Sequence, residues 1–189
     1  MHDVRTAFAD AIERLRRSDI KIAERTVQST ETIVDTYVDI SLPEAAFWHT
    51  STLDARPEDY QPPVRERLEK GRTISAVNYL RALELRATLH RAVDAALDAC
   101  DALVLPTLPI VAPPLGAKEV TMDSGDTLPV RAAMLRLTQL FNITGHSAIS
   151  VPLRTAGLPI GLQLVGRRER TEDLLSIALV CESSLNEVG

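Results

Sequence analysis

NITGHSAISVPLRTAGLPIGLQLVG, residues 142–166, is the stretch that decides the fold. Two apolar runs, 148–151 and 160–165, flank a linker rich in turn residues, which is typical of two β-strands joined by a turn. Pro159 can only precede or start the second strand, because proline lacks a backbone donor. The residues just before the first strand are predicted to form a loop: Asn142, Thr144 and Gly145.

Working outward, apolar residues at helical spacing alternate with short extended runs. Helices are predicted at 3–17, 31–40, 63–71 (with Gly71 as its stop), 75–100 (with Ser75 as its N-cap), 130–140 and from Thr171 onward. Further strands are predicted at 20–27 and 102–105, and irregular segments at 42–63 and 113–128, the latter with its tip at 123–126.

The order of these elements predicts the fold class. The run 102–105 has no polar face, so it indicates a strand covered on both sides, as in a parallel sheet. Helices and apolar strands alternate along the chain, which favours an α/β fold. We therefore predict a mixed, largely parallel β-sheet of about four strands, flanked by helices.

Composition narrows the classes of partner. The 189 residues suffice for one domain with a real core, and the net charge of −5 argues against nucleic acid. The uncharged run 102–117 is too short to span a bilayer and is interrupted by prolines. Cys100 and Cys181 lie on apolar faces of predicted helices. Buried free thiols in a reducing compartment fit this placement better than a disulfide. We expect a cytoplasmic protein with no secretory signal, no membrane and no nucleic-acid partner.

Motifs for nucleophilic catalysis are incomplete. Residues 145–149, GHSAI, approach the G-x-S-x-G nucleophile elbow, but Ile149 replaces the last glycine and the motif precedes a strand. An S-x-x-K spacing at 18–21 closes a helix instead of opening one, which indicates a turn with a solvated lysine.

Metal and cofactor motifs are also missing. No histidine has the H-x-x-x-H or H-E-x-x-H spacing of zinc sites, and there is no C-x-x-C. No glycine pair, G-x-G-x-x-G or Walker loop is present to cradle a phosphate. The arginines at 167–170 lie beside acidic residues and indicate a solvated turn. We predict no metal and no cofactor.

Four segments together carry a resemblance to a known family. They are PTLP at 106–109, FNITG at 141–145, SVP at 150–152 and GLPIGLQLVG at 157–166. The upstream segment 56–87 is similar to the stretch before that family's long helix. On these residues the chain resembles the C-terminal portion of the amidase signature family. The resemblance implies that 1–189 is the C-terminal portion of a single amidase domain whose N-terminal catalytic half is absent.

The resemblance also implies a chemistry. Members of the family use a Ser–Ser–Lys triad, in which a neutral lysine activates the serines and a Gly/Ser-rich loop holds the oxyanion. These groups belong to the family's N-terminal half, and nothing here matches them, so no catalytic residue is carried over. The residues implied to line or support a substrate cleft are Thr107, Asn142 and Thr144. Loop-stabilising hydrogen bonding is the alternative for each of them.

One subfamily can be weighed. Amidotransferase subunits that release ammonia from glutamine place an acidic residue seven positions before the asparagine of the N-x-x-G segment. Leu135 occupies that position here, which favours apolar or aryl amides over glutamine. Arg67 lies near the place of their carboxylate-binding arginine, with Arg65 close by.

The implied function is that of part of a hydrolase of carboxylic amides, inactive by itself. Its expected partners are a small-molecule amide in the complete enzyme, the missing N-terminal half and, as a homo-oligomer, further copies of the chain. Two alternatives stay open: a non-catalytic truncated or binding remnant of the amidase fold, and one piece of a split amidase or an amidotransferase A-type subunit.

Overall fold

The computed structural model describes residues 2–186, which divide into two compact units. Residues 2–27 and 93–186 form one unit, here named the sheet unit, and residues 28–92 form the helical unit. The helices are α1 (His2–Arg17), α2 (Ile33–Ala55), α3 (Pro62–Thr73), α4 (Ala76–Leu97), α5 (Val130–Leu135), α6 (Gln139–Thr144) and α7 (Thr171–Asn186). The strands are β1 (Leu103–Pro106), β2 (Glu119–Thr121), β3 (Thr127–Pro129), β4 (Ala148–Leu153) and β5 (Ile160–Val165).

The α/β class is confirmed, but the predicted strand direction is wrong. The main sheet has the order β1-β5-β4, and all strand pairs within residues 2–186 are antiparallel. The short linker 154–159 joins β4 to β5 as a hairpin, which forces antiparallel pairing. The apolar run that forms β1 indicates burial on both faces, but burial does not determine whether a strand pairs parallel or antiparallel with its neighbour.

The register of the sheet separates two faces. Val151 lies opposite Leu162, and Val104 and Ile149 lie opposite Leu164. These side chains belong to, or pack against, an apolar cluster shared with α1 and α7. The α-helical members of that cluster are Val4, Ala11, Leu15, Leu174, Ala178, Cys181 and Leu185. Because side chains alternate along a strand, the intervening residues face away from this core.

Three predictions in the sheet unit need correction. The segment 20–27 is not a strand; Ile20 and Ile22 pack against the core without pairing, so their alternation reflects burial alone. The segment 113–128 contains β2 and the start of β3, with the tip where expected. The predicted helix at 130–140 is broken between α5 and α6.

The helical unit is more regular than its sequence indicates. Helix α2 continues through Pro43 to Ala55, where an irregular segment was predicted. Gly71 does not stop α3 but lies inside it, where an added Cβ would be 2.2 Å from the backbone oxygen of Leu42. The close packing of α2 on α3 therefore sustains the helix despite its proline. The predicted cap of α4 is confirmed, since Asn78 N–H donates to Ser75 Oγ at 3.1 Å.

None of the helices between residues 2 and 186 combines the length and the apolar content that crossing a bilayer requires.

Candidate functional site

The face of the sheet away from the core is built around Gly161. A Cβ at this position would lie 2.3 Å from Ser150 Oγ and 2.6 Å from Thr107 Oγ1, so only glycine leaves room for both hydroxyls. These hydroxyls hydrogen-bond to each other at 2.6 Å. The backbone N–H of Thr107 donates to Gly161 O at 2.8 Å and fixes Thr107 beside the central strand. The strands thus hold a hydroxyl pair on a face with small side chains.

Next to Gly161 on this face, the three strands place a polar side chain, that of Gln163, at the centre of the sheet. Ser150 and Leu105 flank Gln163 in the register of the sheet. Gln163 is buried, and its side-chain amide donates to Leu137 O at 3.1 Å. This bond ties the segment between α5 and α6 to the central strand.

The hydroxyl pair has no adjacent base that would activate it. Among the described residues, neither Thr107 nor Ser150 has a hydrogen bond to a histidine, lysine or carboxylate. A serine or threonine hydroxyl becomes a nucleophile only with an adjacent base. This face can therefore donate and accept hydrogen bonds, and it cannot by itself attack a carbonyl.

A second polar arrangement in the sheet unit centres on His146, whose side chain is fully buried. Its Nδ1 lies 2.9 Å from Thr144 Oγ1, and its Nε2 lies 3.0 Å from Asp94 Oδ1. Thr144 Oγ1 in turn donates to Leu140 O at 2.8 Å. The chain of bonds links the end of α6 to the last turn of α4.

The hydrogen bonds fix the orientation of this histidine. The carboxylate of Asp94 accepts hydrogen bonds, so Nε2 of His146 carries the hydrogen between the two groups. The hydroxyl of Thr144 lies against Nδ1 on the other side of the ring. His146 is therefore a buried ring that is held at both nitrogens, between α4 and α6.

The three sequence-predicted site residues occupy different environments. Thr107 is half-buried beside Gly161, Thr144 is buried in the His146 network, and Asn142 is exposed on α6. The predicted loop is wrong here, because Asn142 and Thr144 are helical and only Gly145, with φ 73°, ends the helix. Within residues 2–186, no hydrogen bond joins these three residues to one another.

Sequence reasoning missed Ser150, Asp94 and His146. Ser150 alternates with apolar neighbours in its strand, and that alternation was the available signal for a polar face. Asp94 lies within the predicted helix 75–100, and His146 belongs to the GHSAI segment and lacks the spacing of a zinc ligand. No local spacing connects residues that lie so far apart in sequence.

The arginine cluster after β5 is only partly a solvated turn. Arg167 Nη2 donates to Leu97 O at 2.6 Å, so it satisfies a carbonyl at the end of α4. Arg170 forms an ion pair with Asp173 at 2.5 Å, as expected for an exposed turn. A small cavity of about 170 Å³ lies between these residues, Asp101 and the start of α7.

Comparison with known proteins identifies the family. The profile of the amidase family matches residues 1–175. The chain therefore belongs to the amidase signature family.

Individual relatives agree with this assignment. An amidase from Pseudomonas putida is 34% identical over 150 residues, covering 79% of this chain and 32% of the relative. The A-type subunit of a glutamyl-tRNA(Gln) amidotransferase from Moorella thermoacetica is 33% identical over 138 residues, covering 70% and 27%. The crystal structure of an amidase superposes with a TM-score of 0.91 at 33% identity, covering 97% of this chain and 42% of that one. The chain thus spans about a third of the length of these curated relatives, and its fold is that of the matching part of an amidase.

Proposed function

We propose that this chain is the C-terminal part of an amidase-family hydrolase of carboxylic amides. The observation that carries the proposal is the family match over residues 1–175, in a chain that spans 32% of the Pseudomonas putida amidase. The Ser–Ser–Lys chemistry is then supplied by an N-terminal half outside this sequence, and residues 1–189 form one amidase domain with it. By itself the chain does not hydrolyse amides.

The sheet face around Gly161 forms one wall of the substrate cleft in this proposal. Thr107, with its hydroxyl hydrogen-bonded to Ser150, offers a polar contact for the substrate. Asn142 offers an exposed amide on α6, and Thr144 supports the wall from its buried position against His146. The unactivated state of the hydroxyl pair supports a binding role for this wall, with the nucleophile supplied elsewhere.

A chimera tests the proposal. The region of the Pseudomonas putida amidase that aligns with this chain is replaced by this chain, and hydrolysis of benzamide and acetamide is measured. We expect the chimera to hydrolyse an amide and the isolated chain to be inactive. A chimera that is folded by circular dichroism and monodisperse, yet inactive on both amides, would contradict the proposal. Turnover by the isolated chain that a serine substitution within it abolishes would also contradict it.

Thr107→Val in that chimera tests the wall. Valine keeps the shape of threonine and removes its hydroxyl, so we expect KM to rise with the chimera still folded. Thr155→Val is the matched control, since Thr155 lies in the exposed linker between β4 and β5. Equal effects of the two substitutions on KM would show that Thr107 does not contact the substrate.

The second candidate is an amidotransferase A-type subunit. The 33% identity to the A-type subunit from Moorella thermoacetica favours it. Leu135, where the family resemblance places an acidic glutamine-binding residue, opposes it. Release of ammonia from glutamine by the same chimera, at a rate comparable with benzamide hydrolysis, would favour this second candidate.

A further inference from the structure

We propose that a groove on the helical unit binds the non-reacting part of a small ligand: an aromatic group that carries an N–H donor. This inference rests on the proposed function in one respect only, since it identifies the ligand as an aromatic amide of the kind an amidase hydrolyses, or the amine that the hydrolysis releases. The groove itself lies wholly within residues 28–92 and is argued from its own chemistry.

The groove has the size of a small-molecule site. Its volume is about 580 Å³, within the range that suits drug-sized ligands. It runs along α2 and takes one side chain from the first turn of α4. The main lining residues are Ser41, Pro43, Glu44, Phe47, Trp48 and Tyr79.

Aromatic rings dominate the apolar part of the lining. Phe47 and Trp48 are 77% and 81% exposed, unusual values for the two most apolar aromatic side chains. Their ring centroids lie 6.4 Å apart at an interplanar angle of 72°. Such rings leave their faces open for stacking with an aromatic ligand or for contact with a cation.

A carboxylate sets the polarity of the groove. Glu44 is the only charged residue among those that line it. Its Oε1 accepts the phenolic O–H of Tyr79 at 3.0 Å. A carboxylate has about four lone-pair positions, so Glu44 has capacity for further donors beyond Tyr79. An ammonium or amide N–H therefore fits this wall, and a ligand carboxylate is repelled.

The phenol of Tyr79 holds the carboxylate in place. The hydrogen bond to Glu44, followed by burial, raises the pKa of Tyr79 above its ordinary value. Tyr79 therefore stays protonated and keeps donating to Glu44 in neutral solution. The pair fixes the acceptor beside the aromatic rings before any ligand arrives.

Ser41 adds an unused polar group to the same wall. Its Oγ is buried and has no hydrogen-bond partner among the described residues. Buried hydroxyls in folded proteins nearly always have a partner, so an unpartnered one at a groove calls for a ligand or water. A small polar group at the inner end of the ligand would satisfy it.

The sequence provides its own reporter for the test. Trp48 is the single tryptophan of the chain, so its fluorescence reports on the groove alone. The full chain is titrated with benzylamine, benzyl alcohol and benzoate, which share a ring and differ in charge. We expect saturable changes in Trp48 emission, strongest binding for benzylamine and none for benzoate. Equal responses to benzylamine and benzoate, or no saturable response, would overturn the proposal.

Substitutions locate the contact. Glu44→Gln keeps the shape of the exposed side chain, and we expect it to weaken benzylamine binding about tenfold, the size of a lost charge-assisted hydrogen bond. Glu58→Gln is the matched control at an exposed site outside the groove, and it should leave binding unchanged. Ser41→Ala should cause a smaller loss. If both glutamine variants bind like the original chain, Glu44 does not recognise the ligand and the proposal fails.

The outcome of the binding test is independent of the outcome of the hydrolysis test. A chimera that hydrolyses amides, together with a groove that binds none of the probes, overturns only the groove. A groove that binds benzylamine through Glu44 stands even if no chimera is active. Emission from Trp48 that shifts with protein concentration before any probe is added would show the groove covered by a second chain, and would overturn the small-molecule assignment.

Discussion

The sheet unit and the helical unit differ in how completely each covers its apolar side chains. The sheet unit has a continuous core in which Leu15, Leu162 and Leu164 are at most 2% exposed. The helical unit leaves large apolar side chains in solvent and contains two buried hydroxyls without a partner among the described residues, those of Thr36 and Ser41. Its exposed large apolar residues are Val34, Phe47, Trp48, Val64, Val77, Leu80 and Leu85.

The difference shows where each unit places its apolar residues. A contiguous exposed apolar surface marks an interaction site more often than a defect. The sheet unit also exposes large apolar residues, but it has nearly twice as many residues, so the helical unit presents the larger share outward. Those of the sheet unit are Leu115, Leu158, Leu175, Leu179 and Val180. Four substitutions or modifications test this comparison, beginning with the largest expected effect.

Loss of a core leucine should show the difference between the two units most clearly. Leu162→Ala, at a 0% exposed position of β5, should lower the free energy of unfolding by about 2–5 kcal/mol, because it leaves a cavity in the core. Leu80→Ala removes the same atoms at a 59% exposed position and should cost under about 0.5 kcal/mol. Urea denaturation followed by circular dichroism measures both. Similar losses for the two variants would contradict the comparison.

Gly71→Ala tests the tight crossing of α2 and α3 in the helical unit. The new Cβ would lie 2.2 Å from the backbone oxygen of Leu42, and a backbone cannot move away as easily as a side chain. We expect a loss of about 1–3 kcal/mol, despite the better helix propensity of alanine. Gly157→Ala is the control, because nothing lies within 4 Å of its added Cβ. An unchanged midpoint for Gly71→Ala would mean that α2 and α3 are not tightly packed.

Gly161→Ala should have a smaller effect than Gly71→Ala. The groups it meets are the hydroxyls of Ser150 and Thr107, which can rotate away at the loss of their mutual hydrogen bond. We expect a loss of about 1 kcal/mol, near the net value of one hydrogen bond. Adding Ser150→Ala removes the nearest clash, so the double variant should recover part of the loss. A double variant that is as destabilised as the sum of the two single variants would show that Ser150 is not the obstacle.

The smallest expected effect is on the alkylation rate of the two thiols, which reports how tightly the sheet unit is packed around them. Burial raises the pKa of both Cys181 and Cys100 above the ordinary value. A raised pKa favours the neutral thiol, so less thiolate is present at neutral pH than in free cysteine. Alkylation by iodoacetamide should therefore be slower than for free cysteine and should accelerate in denaturant. Alkylation at the rate of free cysteine in the native protein would indicate that the sheet unit opens readily.

Much of the fold could be predicted because its signals are local. The β4–β5 pair, the cap of α4 at Ser75 and the buried face of α7 follow from alternation, helical spacing and turn residues. Strand direction could not be predicted in the same way, because the apolar run of β1 indicates burial without indicating a partner. The helix through Pro43 was missed because the packing of α2 on α3 outweighs a local propensity.

The candidate site was less predictable than the fold. Thr107 lies in a family segment that predicts its place, but the role of Gly161 depends on the meeting of Ser150 and Thr107 across the sheet. The same holds for His146 and Asp94, which are joined by the fold and not by spacing. Contacts between distant residues are what a single sequence conceals.

The register of β4 against β5 also decides where the chain can be lengthened. Residues 154–159 are all exposed, so an insertion there leaves every strand contact in place. One residue inserted within 148–153 would shift the following side chains by one position and exchange the two faces of the strand. Ser150 and Val151 would exchange environments, and both the apolar core face and the polar face of the sheet would be lost. The linker is therefore the place for a tag or a graft, and the strand beside it admits neither.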